Sequence, residues 1–239
     1  MLIFEKYYHI YNHANGDENL FREQKNYEYF LEKYKQHISP IAETIAWCLM
    51  PNHFHLLVKI KTEEEIVAAF SSANPPSTFS SSTFPPSTFP KFQTLEKLGL
   101  EKLELEKLKR LEKFKKLETL EGKSNFLSKQ FANFFSSYTQ SFNKVYGRRR
   151  SLFLKNFKRK EIVDENYLLN LILYIHLNPV KHGFTNKVLD WNWHSYASFP
   201  FVYEEEFRIL FGDKENYENI HCGKQVNFKE YEDLEKDLT

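Results

Sequence analysis

Two apolar runs, Thr44–Leu49 and His53–Ile60, stand on either side of Met50-Pro51-Asn52, and this pattern constrains the fold more than any other stretch of the chain. Turn-forming residues between two β-prone runs read as a hairpin. The second run opens with His53-Phe54-His55. Side chains alternate along a strand, so the two imidazoles share one face and Phe54 takes the other. Two histidines held that way can grip one metal ion. Two ligands do not make a site, however, and a third ligand and a nucleophile must come from elsewhere.

The flanking patterns supply a coarse element order. Phe4 to Asn12 is an aromatic and β-branched run expected to form a first strand, broken by Asn15-Gly16-Asp17. Tyr27, Phe30, Leu31 and Tyr34 recur at helical spacing between Lys25 and His37, before the stop at Ser39-Pro40. A short helical piece is expected from Glu63 to Phe70. Composition then changes abruptly: Ser71 to Pro90 is built on a Pro-Pro-Ser-Thr-Phe repeat, which has little to bury and is expected to be an extended or disordered linker. Leu95 to Glu121 follows as a Leu-Glu-Lys repeat with a mean apolar spacing of about 2.8 residues, so its stripe drifts around a helix of 3.6 residues per turn. That favours a charged, largely exposed helix over a coiled coil, and 71–122 is read as an insertion between a core at 1–70 and its continuation at 123–200. Phe126, Phe131, Phe134, Phe135, Tyr138 and Phe142 then mark an aromatic helix face, Leu152 to Phe157 a strand, and Asp164 the N-cap of a helix that runs through Leu171 and Ile175 to a stop at Asn178-Pro179.

Charge narrows the function classes. The formal net charge of +1 conceals a segregation: Lys144, Arg148, Arg149, Arg150, Lys155, Lys158, Arg159 and Lys160 follow one another with no acidic residue between, whereas 201–239 reads as an acidic C-terminal extension. Tyr146, Phe153 and Phe157 interleave with the cations, the pattern expected where a protein holds a nucleic-acid backbone and stacks its bases. A solvated charged loop is the plain alternative. Neither GxGxxG nor GxxxxGK[ST] occurs, so a nucleotide cofactor is not expected. Two cysteines, Cys48 and Cys222, suit a reduced, cytoplasmic setting, and the N-terminus lacks the form of a signal peptide. No apolar run approaches the ~18 residues of a membrane span, so no membrane partner is expected.

Tyr174 and Asn178 lie at i and i+4 near the end of the last helix, which sets a phenol and an amide on one face. The amide oxygen could join His53 and His55 as a third ligand to a hard divalent cation. The plainer reading makes Tyr174 a packing residue and Asn178 a terminal cap. Two other tyrosines compete as nucleophile, but Tyr138 has Phe142 at i+4 and Tyr167 has Leu171, neither of which binds metal.

Taken together, Tyr8-His9-Ile10-Tyr11-Asn12, Met50-Pro51-Asn52-His53-Phe54-His55 and Tyr174-Ile175-His176-Leu177-Asn178-Pro179-Val180-Lys181 resemble the REP-associated tyrosine transposases. These are relatives of the IS200-like transposases in the HUH single-tyrosine class. Asp190-Trp191-Asn192-Trp193-His194-Ser195-Tyr196 resembles their usual ending, while the insertion at 71–122, His13 and Arg150 depart from their pattern. The resemblance implies an α+β fold: a ferredoxin-like antiparallel sheet with helices on one face, the His pair on a central strand and the tyrosine on a facing helix. It implies Tyr174 as nucleophile and His53, His55 and Asn178 as ligands to Mg²⁺ or Mn²⁺. The implied substrate is single-stranded or hairpin DNA, cut and rejoined through a 5′-phosphotyrosine link. Arg148, Arg149, Arg150, Lys155, Lys158, Arg159, Lys160 and Lys181 are expected to hold that DNA, with the protein a monomer or homodimer. Both imidazoles must be neutral to ligate, so activity is expected to fall below pH ~6. Two alternatives stand beside this: a hairpin-binding protein of the same fold that no longer cuts, and a replication-initiator-type HUH nickase.

Overall fold

A computed structural model describes residues 1–72, 96–202 and 204–223. The Ser/Pro repeat falls almost wholly at 73–95, outside the described residues, and so does the end of the acidic segment. Four strands, β1 (Tyr7–His13), β2 (Ala42–Leu49), β3 (His53–Ile60) and β4 (Lys158–Ile162), form one sheet in the order β2-β3-β1-β4. Every neighbouring pair is antiparallel. With α1 (Gln24–His37) between β1 and β2, and α4 (Leu120–Val145) before β4, the chain follows the β-α-β-β-α-β path of a ferredoxin-like sheet. The fold is therefore α+β, and the hairpin read from the sequence is its β2–β3 half.

Alternation divides the sheet into two buried faces. On one, Tyr8 and Ile10 of β1 and Phe54, Leu56 and Val58 of β3 join Phe30 and Tyr34 of α1 and Phe131, Phe134 and Phe135 of α4. Phe54 shows why the pieces hold. Its ring centroid lies 5.5 Å from Phe30, 5.5 Å from Phe135 and 6.2 Å from Phe153, so one strand residue ties two helices and the segment before β4 together. Aromatic pairs at such separations add about 0.5–1.5 kcal/mol each beyond the burial of their area. The other face carries Ala46, Cys48 and Leu57 and is covered by α5 (Glu165–Lys181), so helices lie on both sides of the sheet.

Local chemistry explains the boundaries. α2 (Glu63–Ser71) starts with a reciprocal cap: the Glu65 N–H donates to Thr62 Oγ1 at 3.2 Å, and the Thr62 N–H to Glu65 Oε2 at 2.8 Å. Asp164 caps α5 by accepting the Tyr167 N–H at 2.8 Å, as expected from the sequence. The expected stop at Asn178-Pro179 is not where α5 ends. Pro179 lies inside the helix, which runs to Lys181. Gly183 at φ +72° then turns the chain, so that the N–H groups of His182, Gly183 and Phe184 donate to the carbonyls of Asn178, Val180 and Pro179. A glycine-centred C-cap of this kind stabilises a last turn that proline alone would have shortened.

Three further expectations need correction. Leu152 to Phe157 is not a continuous strand: Phe153 makes a single antiparallel bridge with Ala14, the chain turns at Asn156 (φ +64°), and the ladder with β1 runs from Lys158. α3 (Glu96–Lys115) exposes Leu105 and Leu108, but its last turn is anchored, with Phe114 fully buried at 5.1 Å from Phe126 and 6.4 Å from Phe4. The acidic C-terminal stretch is not merely a charged extension. Its helices α6 (Phe199–Val202), α7 (Glu204–Phe211) and α8 (Lys214–Gly223) bring Phe199, Phe207, Phe211 and Tyr217 into the core beneath α5. α7 and α8 carry charged residues on their exposed sides, yet one apolar face is enough to dock them. Among the described residues no helix is long and apolar enough to cross a membrane.

Candidate active site

The register of β1 on β3 builds the site. His13 pairs with His53, Tyr11 with His55 and His9 with Leu57, and opposed residues in an antiparallel pair point to the same face. His9, Tyr11, His13, His53 and His55 therefore crowd the face that α5 covers. Rings stack along it: His9 on Tyr11 at 4.6 Å, His9 on His55 at 5.1 Å and His13 on His53 at 5.7 Å.

α5 brings its i,i+4 pair to the same place. Asn178 Oδ1 lies 3.3 Å from His53 Nε2, although 125 residues separate them. The Tyr174 ring stands edge-on to His55 at 5.1 Å and to His9 at 6.3 Å. At the open end of the helix Lys181 Nζ lies over the Tyr174 ring at 5.3 Å, and exposed His182 meets the His53 ring at 5.0 Å. Tyr174, Asn178 and His55 are fully buried, and His53 is 4 % exposed.

Within this cluster His55 Nε2 and Asn178 Nδ2 have no hydrogen-bond partner among the described residues. A buried polar atom left unpaired costs about 1–3 kcal/mol, so each marks a place where something else belongs or strain is held. Burial holds His55 neutral with a pKa well below the usual imidazole range, and the nearby His9, His53, His182 and Lys181 push it the same way. A neutral imidazole is the form that can ligate. Neighbouring oxygen or nitrogen ligands on one hard ion at about 2.1 Å stand roughly 3.0 Å apart, so the 3.3 Å between His53 Nε2 and Asn178 Oδ1 suits two ligands of a shared cation. Among the described residues no three His, Cys, Asp or Glu side chains are grouped to hold a metal, so a metal set here needs the asparagine.

The competing tyrosines separate on geometry. Tyr138 is buried in the opposite layer, where its hydroxyl donates to the Leu20 carbonyl at 2.6 Å and burial pushes its pKa up; it is a packing residue. Tyr167 lies a turn and more before Tyr174, beneath the Lys160 ammonium at 4.2 Å.

The basic stripe does not stay together. Arg148 is used internally: its Nε donates to Glu18 at 2.9 Å, its Nη1 to Asn143 at 2.9 Å, and it lies over the Phe142 ring. Arg149, Arg150 and Lys155 are exposed. Lys158 and Lys160 pair with Tyr11 and His9, which puts them on the face of the His pair, whereas Arg159 pairs with Ile10 and points to the α4 side. On that side Arg159 and Lys155 border a groove of about 780 Å³, floored by Phe135, Phe153 and Phe157 and edged by Ser136, Thr139 and Gln140. Cations above aromatic rings suit a polyanion with stacking bases.

Sequence reading gave no role to His9, His13, Asn52 or His182, all within the cluster. The signal available was the period-2 spacing of His9, Tyr11 and His13 in β1, which matches that of His53 and His55.

No family model and no curated protein matches the chain. Among solved structures, a REP-associated tyrosine transposase bound to a REP hairpin is similar over 82% of this chain and 80% of that one, at 14% identity and a TM-score of 0.42.

Proposed function

We propose that this chain is a metal-dependent single-strand DNA endonuclease and strand transferase of the REP-associated tyrosine transposase type, acting on hairpin-bearing DNA with Tyr174 as nucleophile. The observation that carries the reading is the meeting of Asn178 Oδ1 and His53 Nε2 at 3.3 Å beside His55 and the Tyr174 ring. A structural role alone leaves His55 Nε2 unexplained.

His53, His55 and Asn178 would hold Mg²⁺ or Mn²⁺, which when bound polarises a phosphate and neutralises charge that builds on it. The remaining chemistry falls to the chain. A phenol with a pKa of ~10 in water is a weak nucleophile at neutral pH, so positioning matters. Tyr174 Oη attacks the scissile phosphorus, the bond from phosphorus to the 3′-oxygen breaks, and the phenolic proton is replaced on the released 3′-hydroxyl through solvent. The product is a 5′-phosphotyrosine link. Attack by a 3′-hydroxyl on that link reverses the step and joins strands. Lys181, over the Tyr174 ring, and the near-face cations Lys158 and Lys160 suit the phosphates on either side of the break.

The test is covalent capture of a 3′-labelled hairpin oligonucleotide, since the strand left on Tyr174 carries the 3′ end. Wild type should form an adduct that survives denaturation in Mn²⁺ and none in chelator, and Tyr174→Phe should form none. An adduct in Tyr174→Phe sinks the assignment. Full burial of Tyr174, His55 and Asn178 favours a second reading, a hairpin-binding protein of the same fold that does not cut. Retained hairpin binding with no cleavage in Mg²⁺ or Mn²⁺ selects it.

A further inference from the structure

We propose that His13 and Asn52 are positioning residues for His53: together they lock its imidazole with the proton on Nδ1 and the Nε2 lone pair turned toward Asn178. This rests on the metal site proposed above. The argument begins at the Ala14 carbonyl, which can only accept. His13 Nδ1 lies 2.7 Å from it and must therefore donate. In a neutral His13 the proton is then absent from Nε2, which accepts from Asn52 Nδ2 at 3.0 Å. That orients the Asn52 amide, so Asn52 Oδ1, 2.8 Å from His53 Nδ1, must accept the proton carried there. His53 Nε2 is left bare.

The bare nitrogen faces Asn178 Oδ1 at 3.3 Å, another acceptor. Two lone pairs aimed at each other repel unless a cation lies between. Moving the proton on His53 does not remove the conflict. A proton on His53 Nε2 in place of Nδ1 turns the Nδ1 lone pair on Asn52 Oδ1. Turning the Asn178 amide over would remove it: that aims Nδ2 as a donor at the bare nitrogen and leaves Oδ1 in the place where Nδ2 now has no partner, so in either setting of the amide His53 keeps its proton on Nδ1. The relay runs from a backbone carbonyl through a ring, an amide and a ring, and one break frees the rest. Outer partners of this kind set the tautomer and aim of a metal-binding histidine.

The experiment uses two readouts on the full chain. Long-range ¹H–¹⁵N NMR reports the His53 tautomer without any metal, and titration with Mn²⁺ alone reports affinity. Wild type should show the Nδ1–H form. Asn52→Leu, which removes both hydrogen bonds at similar volume, should shift His53 toward the Nε2–H form that free histidine favours and weaken Mn²⁺ by about 10- to 100-fold. Asn52→Asp keeps an acceptor for His53 Nδ1–H and should hold the tautomer, with affinity within a few-fold of wild type. His13→Phe keeps the ring stacked on His53 but frees the amide, so it should shift the tautomer in the same direction and leave the Asn52 backbone undisturbed. An Nε2–H tautomer in wild type overturns the proposal. So does unchanged Mn²⁺ affinity in Asn52→Leu and His13→Phe where His53→Ala abolishes binding. If wild type binds no Mn²⁺, the metal site of the proposed function fails, and the tautomer measurement still decides the relay.

Discussion

If the cations between Arg149 and Lys160 grip phosphates, raising salt should release the DNA by an amount set by how many are available. Arg148 is withdrawn by its ion pair with Glu18, leaving Arg149, Arg150, Lys155 and Arg159 as the fully exposed set, with Lys158 and Lys160 half-buried along β4. Each phosphate contact on a single strand contributes about −0.7 to the slope of log affinity against log salt, so four contacts give about −2.8 and six about −4.2. Between 50 and 200 mM salt, a fourfold change, affinity should therefore fall by roughly 50-fold for four contacts and roughly 300-fold for six. Fluorescence anisotropy with a labelled hairpin carrying a single-stranded 5′ tail measures the slope directly. Arg150→Gln and Lys155→Gln should each reduce it by about 0.7. Arg148→Gln should leave the slope unchanged and lower stability instead, since it leaves Glu18 without one of its two arginine partners. A flat salt response, or a slope that drops in Arg148→Gln and not in Arg150→Gln, refutes the assignment of these residues.

The remaining predictions concern stability and its dependence on pH. His176 of α5 and His221 of α8 are both buried, with His176 Nδ1 3.1 Å from His221 Nε2, and burial holds His221 down at about 4. Its folded pKa lies below the unfolded value of about 6.5, so the fold keeps it neutral; the stability it supplies is complete above pH ~6.5 and is lost as pH falls toward 4, amounting to about 2 kcal/mol by pH 5. Urea midpoints at pH 8 and pH 5 should show that loss in wild type and a smaller one in His221→Phe; an equal loss in both rejects it. Phe54→Ala should cost about 3–5 kcal/mol in urea unfolding because it empties a fully buried site shared by Phe30, Phe135 and Phe153; a loss below about 1 kcal/mol would mean that the two helices are not held through that ring. Asp164→Ala should cost about 1 kcal/mol through loss of the α5 cap, read by the same assay, with no change if Tyr167 N–H finds water instead.

Much of the fold was legible because the signals are local. The hairpin at 44–60 and the α1 and α5 periodicities are properties of neighbouring residues, and they placed β2, β3, α1 and the start of α5 within a residue or two. Local reasoning failed where a distant contact decided. The last strand begins at Lys158 and not at Leu152, because the left-handed turn at Asn156 interrupts the pairing that Phe153 and Leu154 begin beside the end of β1. Phe207, Phe211 and Tyr217 are core residues inside an acidic stretch because α5 offers them an apolar surface.

The candidate site divides in the same way. By itself the sequence determined that His53 and His55 share a strand face and that Tyr174 and Asn178 share a helix face, since both follow from the period of one element. Only the tertiary structure decided that the two faces meet, that β1 adds His9 and His13 opposite the pair, and that β4 splits its cations between the two sides of the sheet. Register and packing are relations between elements. No spacing within one of them encodes which residue, 125 positions away, will stand 3.3 Å from an imidazole.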